Sequence, residues 1–414
     1  MSAPPEPRIA AATFVALALF IGSWGLLHVG FYKHKKILDT PVYQRYGNAI
    51  ARGQVPYRDF AVEYPPGALP MFALPGFAKP GQGQDVTRGF RFVFEALMWL
   101  CGAIVLCAMA VTLRSVGARR IRIWLALAFA ALAPLAIGSV LLSRFDLWPA
   151  ALAAAALAAL VSGWPRLGSL LLGAAITAKL YPAILVPLFA VYVWRREGRR
   201  KALLCLGVVV AAVVAVFAPF VALAPGGVWH SLRGQLDRPL QIESLGAALL
   251  IAAHHLWGHA VTLQTSHGSQ NLVGHGARAV AVVVTVAQAV ALFCIWALFA
   301  RGPAARERLV WATAAAVVAF VALGKVLSPQ FVIWLLPVVP LVRGRRGLIA
   351  AALLLIALVL TQVWFPFRYW DYVNDFTPTT SWLVLARDVV LVVLLAALLA
   401  APTLTERERA PARS

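Results

Sequence analysis

The chain has 414 residues, of which 61% are hydrophobic and 13% are charged, and its formal net charge is +21. Soluble domains are about half apolar and about a quarter charged, so a single soluble core is excluded. Repeated apolar runs of about 20 residues predict a polytopic membrane protein instead. The four cysteines lie inside these runs, which indicates neither a disulfide framework nor a metal site.

The excess positive charge lies in short clusters between apolar runs, at residues 114–122, 195–201 and 343–346. Loops rich in arginine and lysine stay on the cytoplasmic side of a membrane. These clusters are therefore assigned to the cytoplasm, and the charge requires no nucleic-acid partner.

The first apolar run, residues 9–30, predicts a retained first span, because it is too long for the apolar region of a signal peptide. A first extracytoplasmic loop is predicted over residues 31–89. Within this loop, residues 41–52 are predicted to form a surface helix, which Asp39 or Thr40 could cap. Residues 67–78 are too few to span a bilayer and predict a re-entrant segment.

The central part of the chain continues with spans at 90–113, 123–142 and 147–161. The next apolar run, 167–193, is interrupted by Lys179 and Pro182. Because a lysine and a proline inside one span are costly, we predict two short helices that meet outside at Lys179.

The last part begins with a span at 202–221 and a second extracytoplasmic loop at 222–275. A run at 309–340, broken by Lys325 and Pro329, predicts another short hairpin. Three further spans are predicted, at 277–300, 348–365 and 382–401, and a cytoplasmic tail at 402–414. The fold class is thus an all-α polytopic membrane protein forming one integral membrane domain over 1–414, with about twelve spans and both termini cytoplasmic.

This topology brings many ionisable groups to the outer edge of the membrane. Lys179 and Lys325 each lie at the apex of a broken hairpin, where a charge needs a partner or water. One interpretation is that they extend to the interface or pair with Asp146. The other is that Lys179, Lys325 and Arg144 bind a lipid phosphate.

Asp39 also has two possible roles, as a helix cap or as a catalytic base, and Glu63 is the alternative base in the same loop. Tyr64 and Tyr181 are typical interfacial aromatics, although an aromatic can also flank a sugar ring. His255 and His259 are four residues apart, which could place two metal ligands on one helix face. No third ligand is evident, so an ordinary interfacial helix is the preferred interpretation.

An ordered set of short motifs resembles glycosyltransferase family 87, a member of the GT-C superfamily of polyprenol-phosphate-sugar-dependent enzymes. No single motif is highly specific, but the set follows the family order along most of the chain. The motifs are Asp39, Tyr43, Tyr46, Gly53, Pro56-Tyr57, Asp59-Phe60 and Glu63-Tyr64-Pro65-Pro66 in the first loop, followed by Arg144-Phe145-Asp146, Lys179-Leu180-Tyr181-Pro182, Glu243-Ser244-Leu245 and Ser328-Pro329-Gln330.

The resemblance implies a GT-C-like helix bundle and mannosyl transfer from a polyprenyl-phosphate donor to a glycolipid or lipoglycan acceptor in the membrane. It also implies an essential acid in the first outside loop, and Asp39 is the matching position. The acidic pair of metal-dependent GT-C enzymes is missing at that point, so no metal or other cofactor is expected. The residues expected to contact substrate are Asp59, Glu63, Tyr64, Asp146, Tyr181, Asp237, Glu243 and Gln330.

The chemistry agrees with this resemblance. A donor used outside the cytoplasm must be carried on a membrane lipid, and its departing phosphate gains negative charge that lysine and arginine stabilise. One carboxylate base without a protein nucleophile gives inversion. Two alternatives stay open: another polyprenyl-phosphate sugar such as glucose or arabinose, and a glycolipid transporter or flippase. The acids cluster on one face, which favours the enzyme.

Overall fold

The computed structural model describes residues 6–33, 37–78, 86–138 and 140–400. The predicted tail at 402–414 lies outside this part of the chain. Helices make up most of the described chain, and a small sheet is added late in the sequence. The first nine helices are α1 (Glu6–Leu26), α2 (Thr40–Ala51), α3 (Pro70–Ala78), α4 (Arg88–Ser115), α5 (Arg120–Ile137), α6 (Val140–Ser143), α7 (Leu147–Val161), α8 (Pro165–Ala178) and α9 (Val186–Glu197). The others are α10 (Arg199–Leu223), α11 (Pro225–Leu236), α12 (Leu245–Trp257), α13 (His275–Arg301), α14 (Arg306–Ala322), α15 (Gly344–Trp364), α16 (Tyr369–Asp375) and α17 (Pro378–Leu399).

The prediction of an all-α polytopic membrane protein is confirmed. Within the described residues, seven helices are long and apolar enough to cross a membrane, namely α1, α4, α5, α10, α13, α15 and α17. The other predicted spans fall on α7, α8, α9 and α14 and on the 3₁₀ turns of Pro329–Leu341. These elements are short because prolines and polar residues interrupt the apolar runs, and a proline provides no backbone N–H for a helix.

In the first polar interval, α2 packs directly against α3. The two helices approach so closely that a Cβ on Gly76 would lie 2.4 Å from the carbonyl carbon of Gly47. Beside this contact, the Tyr43 ring stacks on Phe72, with 4.6 Å between ring centroids. The start of α2, which Asp39 precedes, is thereby held against the helix bundle.

Both interrupted apolar runs break at the predicted lysines. Helix α8 ends at Ala178, one residue before Lys179, and α14 ends at Ala322, three residues before Lys325. The segments that follow the breaks meet, because the Tyr181 ring stacks on Trp334 with 4.1 Å between centroids and 5° between planes. The two breaks therefore form adjoining walls of one region.

The opposite helix ends carry the basic clusters, and these also meet. Arg195 Nη1 donates to the carbonyl of Ala300 at 2.6 Å. Arg306 Nη1 donates to the carbonyl of Ser115 at 3.1 Å, and Arg343 Nη1 to that of Val116 at 3.1 Å. The arginine-rich turns that join α4 to α5, α9 to α10 and α13 to α14, and the one that precedes α15, thus gather at one end of the bundle. The two breaks lie at the opposite ends of α9 and α14.

A three-stranded antiparallel sheet lies in the second polar interval and was not predicted from the sequence. Strands β1 (Leu240–Gln241), β2 (Thr262–Ser266) and β3 (Ser269–Val273) pair in the order β1-β3-β2. The β2–β3 hairpin turns at His267 and Gly268, which have φ of 53° and 64°, as a two-residue hairpin turn requires.

His255 and His259 do not share a helix face, contrary to the arrangement that their four-residue spacing would allow. Helix α12 ends at Trp257, and Gly258 has the left-handed φ of 68° that often terminates a helix. His259 therefore lies beyond the helix and shares no face with His255. These two histidines therefore do not form a pair of ligands on one helix face.

Candidate functional site

A cavity of about 580 Å³ opens where the two breaks meet the first and second polar intervals. It is bounded by the segment before α2, the ends of α8 and α14, and the tip of the β2–β3 hairpin. Nine of the twelve residues singled out from the sequence line it, namely Asp39, Glu63, Tyr64, Arg144, Lys179, Tyr181, Glu243, Lys325 and Gln330.

Asp39 lines this cavity, and its carboxylate is directed towards Arg144 rather than onto the first amides of its own helix. In the described part of the chain, the carboxylate makes no capping hydrogen bond; the backbone carbonyl of Asp39 accepts the amides of Val42 and Tyr43 instead. The carboxylate forms an ion pair with the buried Arg144 and accepts a hydrogen bond from the Tyr43 hydroxyl at 3.4 Å. These two contacts fix the direction in which its oxygens point.

Lys179 is held by a buried carboxylate and by aromatic rings. Its Nζ lies 2.6 Å from Oδ1 of Asp146, which also accepts the indole N–H of Trp334 at 2.8 Å. The ammonium is 5.0 Å from the ring centroids of Phe145 and Trp334, within the range of a cation–π interaction. Asp146 is 1% exposed and lies behind Lys179. It therefore positions the lysine, and the expected direct contact of Asp146 with substrate is not supported.

Arg238 is a further cation of the site that the sequence analysis did not single out. It lines the cavity with Lys325, and its Nη2 donates to the carbonyl of His267 in the hairpin turn at 2.8 Å. Its Nε is buried without a hydrogen-bond partner among the described residues. Within the described residues, the Lys325 ammonium donates to the carbonyl of Leu236 at 2.9 Å, which uses one of its three N–H groups. Both cations have capacity for an anionic ligand.

Glu243 is a buried acid at the back of the cavity. It is 2% exposed, and its carboxylate accepts a hydrogen bond from the side chain of Gln241, which also reaches Ser328 Oγ at 2.8 Å. Its backbone carbonyl accepts Nη2 of Arg387 at 2.7 Å. Burial raises the pKa of Glu243 to about 7, and Arg387 and Arg144 act in the opposite direction.

The raised pKa of Glu243 predicts that stability decreases as the pH rises. Its usual pKa is 4.5, so between pH 4.5 and about 7 the folded protein keeps a proton that the unfolded chain has lost. The loss is at most about 1.4 kcal/mol per pH unit for one group. Thermal unfolding of the detergent-solubilised protein should show a midpoint that falls over this interval in the wild type and falls less in Glu243→Gln. Equal pH dependence in both proteins would contradict the assignment.

Two further predicted substrate contacts are not among the residues that line this cavity. Asp59 is exposed, accepts the amide of Val55 at 2.7 Å and pairs with Arg58 Nε at 2.9 Å, so it holds its own loop. Asp237 pairs with Arg233 Nε at 2.9 Å, one turn earlier along the chain. In both cases a neighbouring arginine pairs with the carboxylate, and the expectation that these acids contact substrate stays a prediction.

The remaining predicted residues form the sides of the cavity. Tyr64 packs edge-on against Phe145 with 4.8 Å between centroids, while Tyr181 presents the ring that stacks on Trp334. The backbone carbonyl of Glu63 accepts Gln235 Nε2 at 2.8 Å. The carboxylate of Glu63 faces the turn at Gly268, where an added Cβ would lie 2.9 Å from its Oε1. One oriented carboxylate, several cations and aromatic walls can together bind a phosphorylated sugar and accept a proton.

Comparison with known proteins gives the family. Residues 62–329 match glycosyltransferase family 87, and the comparison with curated proteins gives no match. Among solved structures, the chain is similar to the apo form of an oligosaccharyltransferase from Archaeoglobus fulgidus, with 10% identity and a TM-score of 0.46 over 94% of this chain. The match spans 56% of that longer protein. The family match covers well over half of this chain and includes every cavity residue named above except Asp39, Gln330 and Trp334. The chain belongs to glycosyltransferase family 87.

Proposed function

We propose that the protein transfers a hexose, specifically mannose, from a polyprenyl-phosphate donor to a glycolipid or lipoglycan acceptor on the extracytoplasmic face of the cell membrane. The observation that carries this proposal is the convergence of one oriented carboxylate, Asp39, and four cations on a single cavity. The cations are Arg144, Lys179, Arg238 and Lys325.

The orientation of the site follows from the distribution of charge. The arginine-rich turns gather at one end of the bundle, and such turns remain cytoplasmic. The cavity lies at the ends of α8 and α14 that are remote from these turns. The active site would therefore face outwards, where a sugar donor must be anchored in the membrane by a lipid.

In the proposed reaction, an acceptor hydroxyl attacks the anomeric carbon of the donor sugar from the side opposite the phosphate. The new bond forms between the acceptor oxygen and this carbon, and the bond from this carbon to the phosphate oxygen breaks. The electron pair leaves with the polyprenyl phosphate, and the hydroxyl proton passes to the carboxylate of Asp39. Because a single displacement occurs, the configuration is inverted, as for inverting glycosidases.

The protein contributes two kinds of stabilisation to this step. Lys179 and Lys325 would neutralise charge as it develops on the departing phosphate, which acts most strongly in a site with little water. Asp39 would accept the proton as a general base, an effect that typically contributes about 10²–10⁴-fold. Since these cations perform the charge neutralisation, the mechanism requires no metal ion.

The test is transfer of radiolabelled mannose from polyprenyl phosphate to glycolipid acceptors by membranes that contain the protein. We expect labelled glycolipid with this donor, and the same yield after addition of EDTA. Polyprenyl-phosphate glucose and arabinose serve as competing donors. Transfer from one of these sugars alone would reject mannose, and a loss of transfer in EDTA would reject the metal-free mechanism.

A further inference from the structure

A pair of opposite charges lies inside α17, and we propose that its arginine, Arg387, is a positioning residue that holds the back of the active-site cavity in place. The consequence for catalysis rests on the proposed function. Arg387 and Asp388 are both 0% exposed. Arg387 follows the start of α17 at Pro378 by nine residues, which is about 14 Å along the helix. Neither residue of the pair is among the described residues that line the cavity.

Stability alone gives no reason for this pair of charges. A charge in the middle of a membrane span is costly, and replacing a buried ion pair with apolar residues of similar volume is often neutral or stabilising. Asp388 Oδ1 lies 2.6 Å from Arg387 Nε, so it compensates the charge of the arginine. A guanidinium has five N–H donors. Other donors of Arg387 are therefore available for a role that an apolar side chain could not perform.

Arg387 reaches the chain segment at the back of the cavity. Its Nη2 donates to the backbone carbonyl of Glu243 at 2.7 Å, and the Tyr372 hydroxyl donates to the preceding carbonyl, that of Ile242, at 2.7 Å. The guanidinium lies 5.7 Å from the ring centroid of Trp364, within the range of a cation–π interaction. Side chains from α16 and α17 thus fix two consecutive carbonyls of this segment.

The same segment is joined on its other side to residues that line the cavity. The amide of Gln241 donates to the backbone carbonyl of Lys325 at 3.0 Å. The side chain of Gln241 donates to Ser328 Oγ at 2.8 Å and to the carboxylate of Glu243. Lys325 is one of the cations proposed to act on the departing phosphate. Residues 241–243 therefore connect α17 to Lys325, and a shift of this segment would displace the Lys325 ammonium.

The first experiment replaces the pair in the double variant Arg387→Met with Asp388→Leu, which leaves no unpaired charge in α17. We expect kcat to fall by about tenfold to a hundredfold, the order that a displacement of about 1 Å costs, while the donor KM changes less than kcat. The matched control is Leu391→Met, because Leu391 is also 0% exposed and lies one turn further along α17. Its kcat should stay near that of the wild type, since such volume-conserving exchanges are tolerated best.

A double-mutant cycle tests whether Arg387 acts through Lys325. Because the effects of coupled residues are not additive, replacing the pair should cost little further kcat once Lys325→Met has removed the ammonium. A purely structural role predicts the same loss in both backgrounds. Equal losses, or an unchanged kcat after replacement of the pair, would overturn the inference.

Tyr372→Phe repeats the test without removing a charge, in case the double variant does not fold. It removes only the hydroxyl that donates to the Ile242 carbonyl. We expect kcat to fall in the same direction but by a smaller factor, with the unfolding midpoint in detergent as the measure of folding. A folded Tyr372→Phe variant with normal kcat would contradict the fixing of this segment by α16 and α17.

Hydrogen exchange followed by mass spectrometry needs no sugar transfer. The amides of Gln241, Ile242 and Ser244 all donate to backbone carbonyls, so their exchange reports opening of the segment. We expect faster exchange in peptides covering residues 240–245 in the double variant and unchanged exchange in peptides of α4.

These measurements separate this inference from the proposed function. Faster exchange at residues 240–245 in a protein that transfers no sugar would retain the positioning role of Arg387 and reject the proposed function. Sugar transfer with unchanged kcat and unchanged exchange in the double variant would retain the proposed function and reject the positioning role.

Discussion

The variant Asp39→Asn is expected to fold and to lose between about 10²- and 10⁴-fold in turnover, the usual contribution of a general base. Asparagine keeps the size of the side chain and can still accept a hydrogen bond from Arg144, but it does not take up a proton. Arg144 would remain beside the acids Asp146 and Glu243, which both interact with it electrostatically. The loss should therefore appear in turnover at saturating donor and acceptor rather than in the unfolding midpoint.

Two control variants test whether the loss of turnover in Asp39→Asn comes from the loss of a base. Asp39→Ala removes the ion pair altogether and should lower the unfolding midpoint as well as the activity. Glu63→Gln tests the alternative base in the same cavity and should keep most of the activity. If Asp39→Asn retains a tenth or more of wild-type turnover, Asp39 is not the base, and the role passes to Glu63.

The variant Asp146→Ala is expected to destabilise the protein by about 3–5 kcal/mol, the usual cost of removing one partner from a buried ion pair. The Asp146 side chain is 1% exposed and that of Lys179 is 16% exposed, so water cannot replace the lost carboxylate. The indole of Trp334 also loses its acceptor. Thermal unfolding in detergent measures the change.

The double variant Asp146→Leu with Lys179→Met separates stability from function. It replaces the buried pair with apolar side chains, which often restores stability, but it removes the ammonium of Lys179 from the cavity. We expect an unfolding midpoint near that of the wild type together with a large loss of donor use. Normal donor use in the double variant would contradict the role of Lys179 at the phosphate.

The sequence was most informative where local chemistry decides the structure. A lysine and a proline inside an apolar run are costly in a membrane, so the ends of α8 and α14 could be placed within a few residues from Lys179 and Lys325. The ordered motifs likewise grouped residues from five distant segments that line one cavity. Neither inference required knowledge of tertiary contacts.

Other features of the site depend on tertiary contacts that cannot be predicted from the sequence alone. Asp39 has the position of a helix cap, but the buried Arg144 attracts its carboxylate from a segment about 100 residues away. The ion pair of Arg387 and Asp388, which is 0% exposed and has 2.6 Å between Nε and Oδ1, lies in a run that reads simply as apolar. Its contact with the backbone of Glu243 depends on how α17 packs against the second polar interval.

Short polar strands and local ion pairs account for the other differences between the structure and the predictions made from the sequence. Strands β2 and β3 have five residues each and lack a strong apolar alternation, so the hairpin that carries His267 to Arg238 was not expected. For Asp59 and Asp237 a signal was present: an arginine stands one residue before the first acid and four residues before the second. Opposite charges four residues apart commonly pair at a helix surface, as Arg233 and Asp237 do.

The most direct test of the account is the product formed by purified protein from β-linked polyprenyl-phosphate mannose and a glycolipid acceptor. Nucleotide-activated mannose serves as the alternative donor, and nuclear magnetic resonance gives the anomeric configuration of the product. We predict an α-linked product from the lipid donor only, at a rate that falls at least a hundredfold in Asp39→Asn. A β-linked product, or equal transfer from the nucleotide donor, would contradict the account.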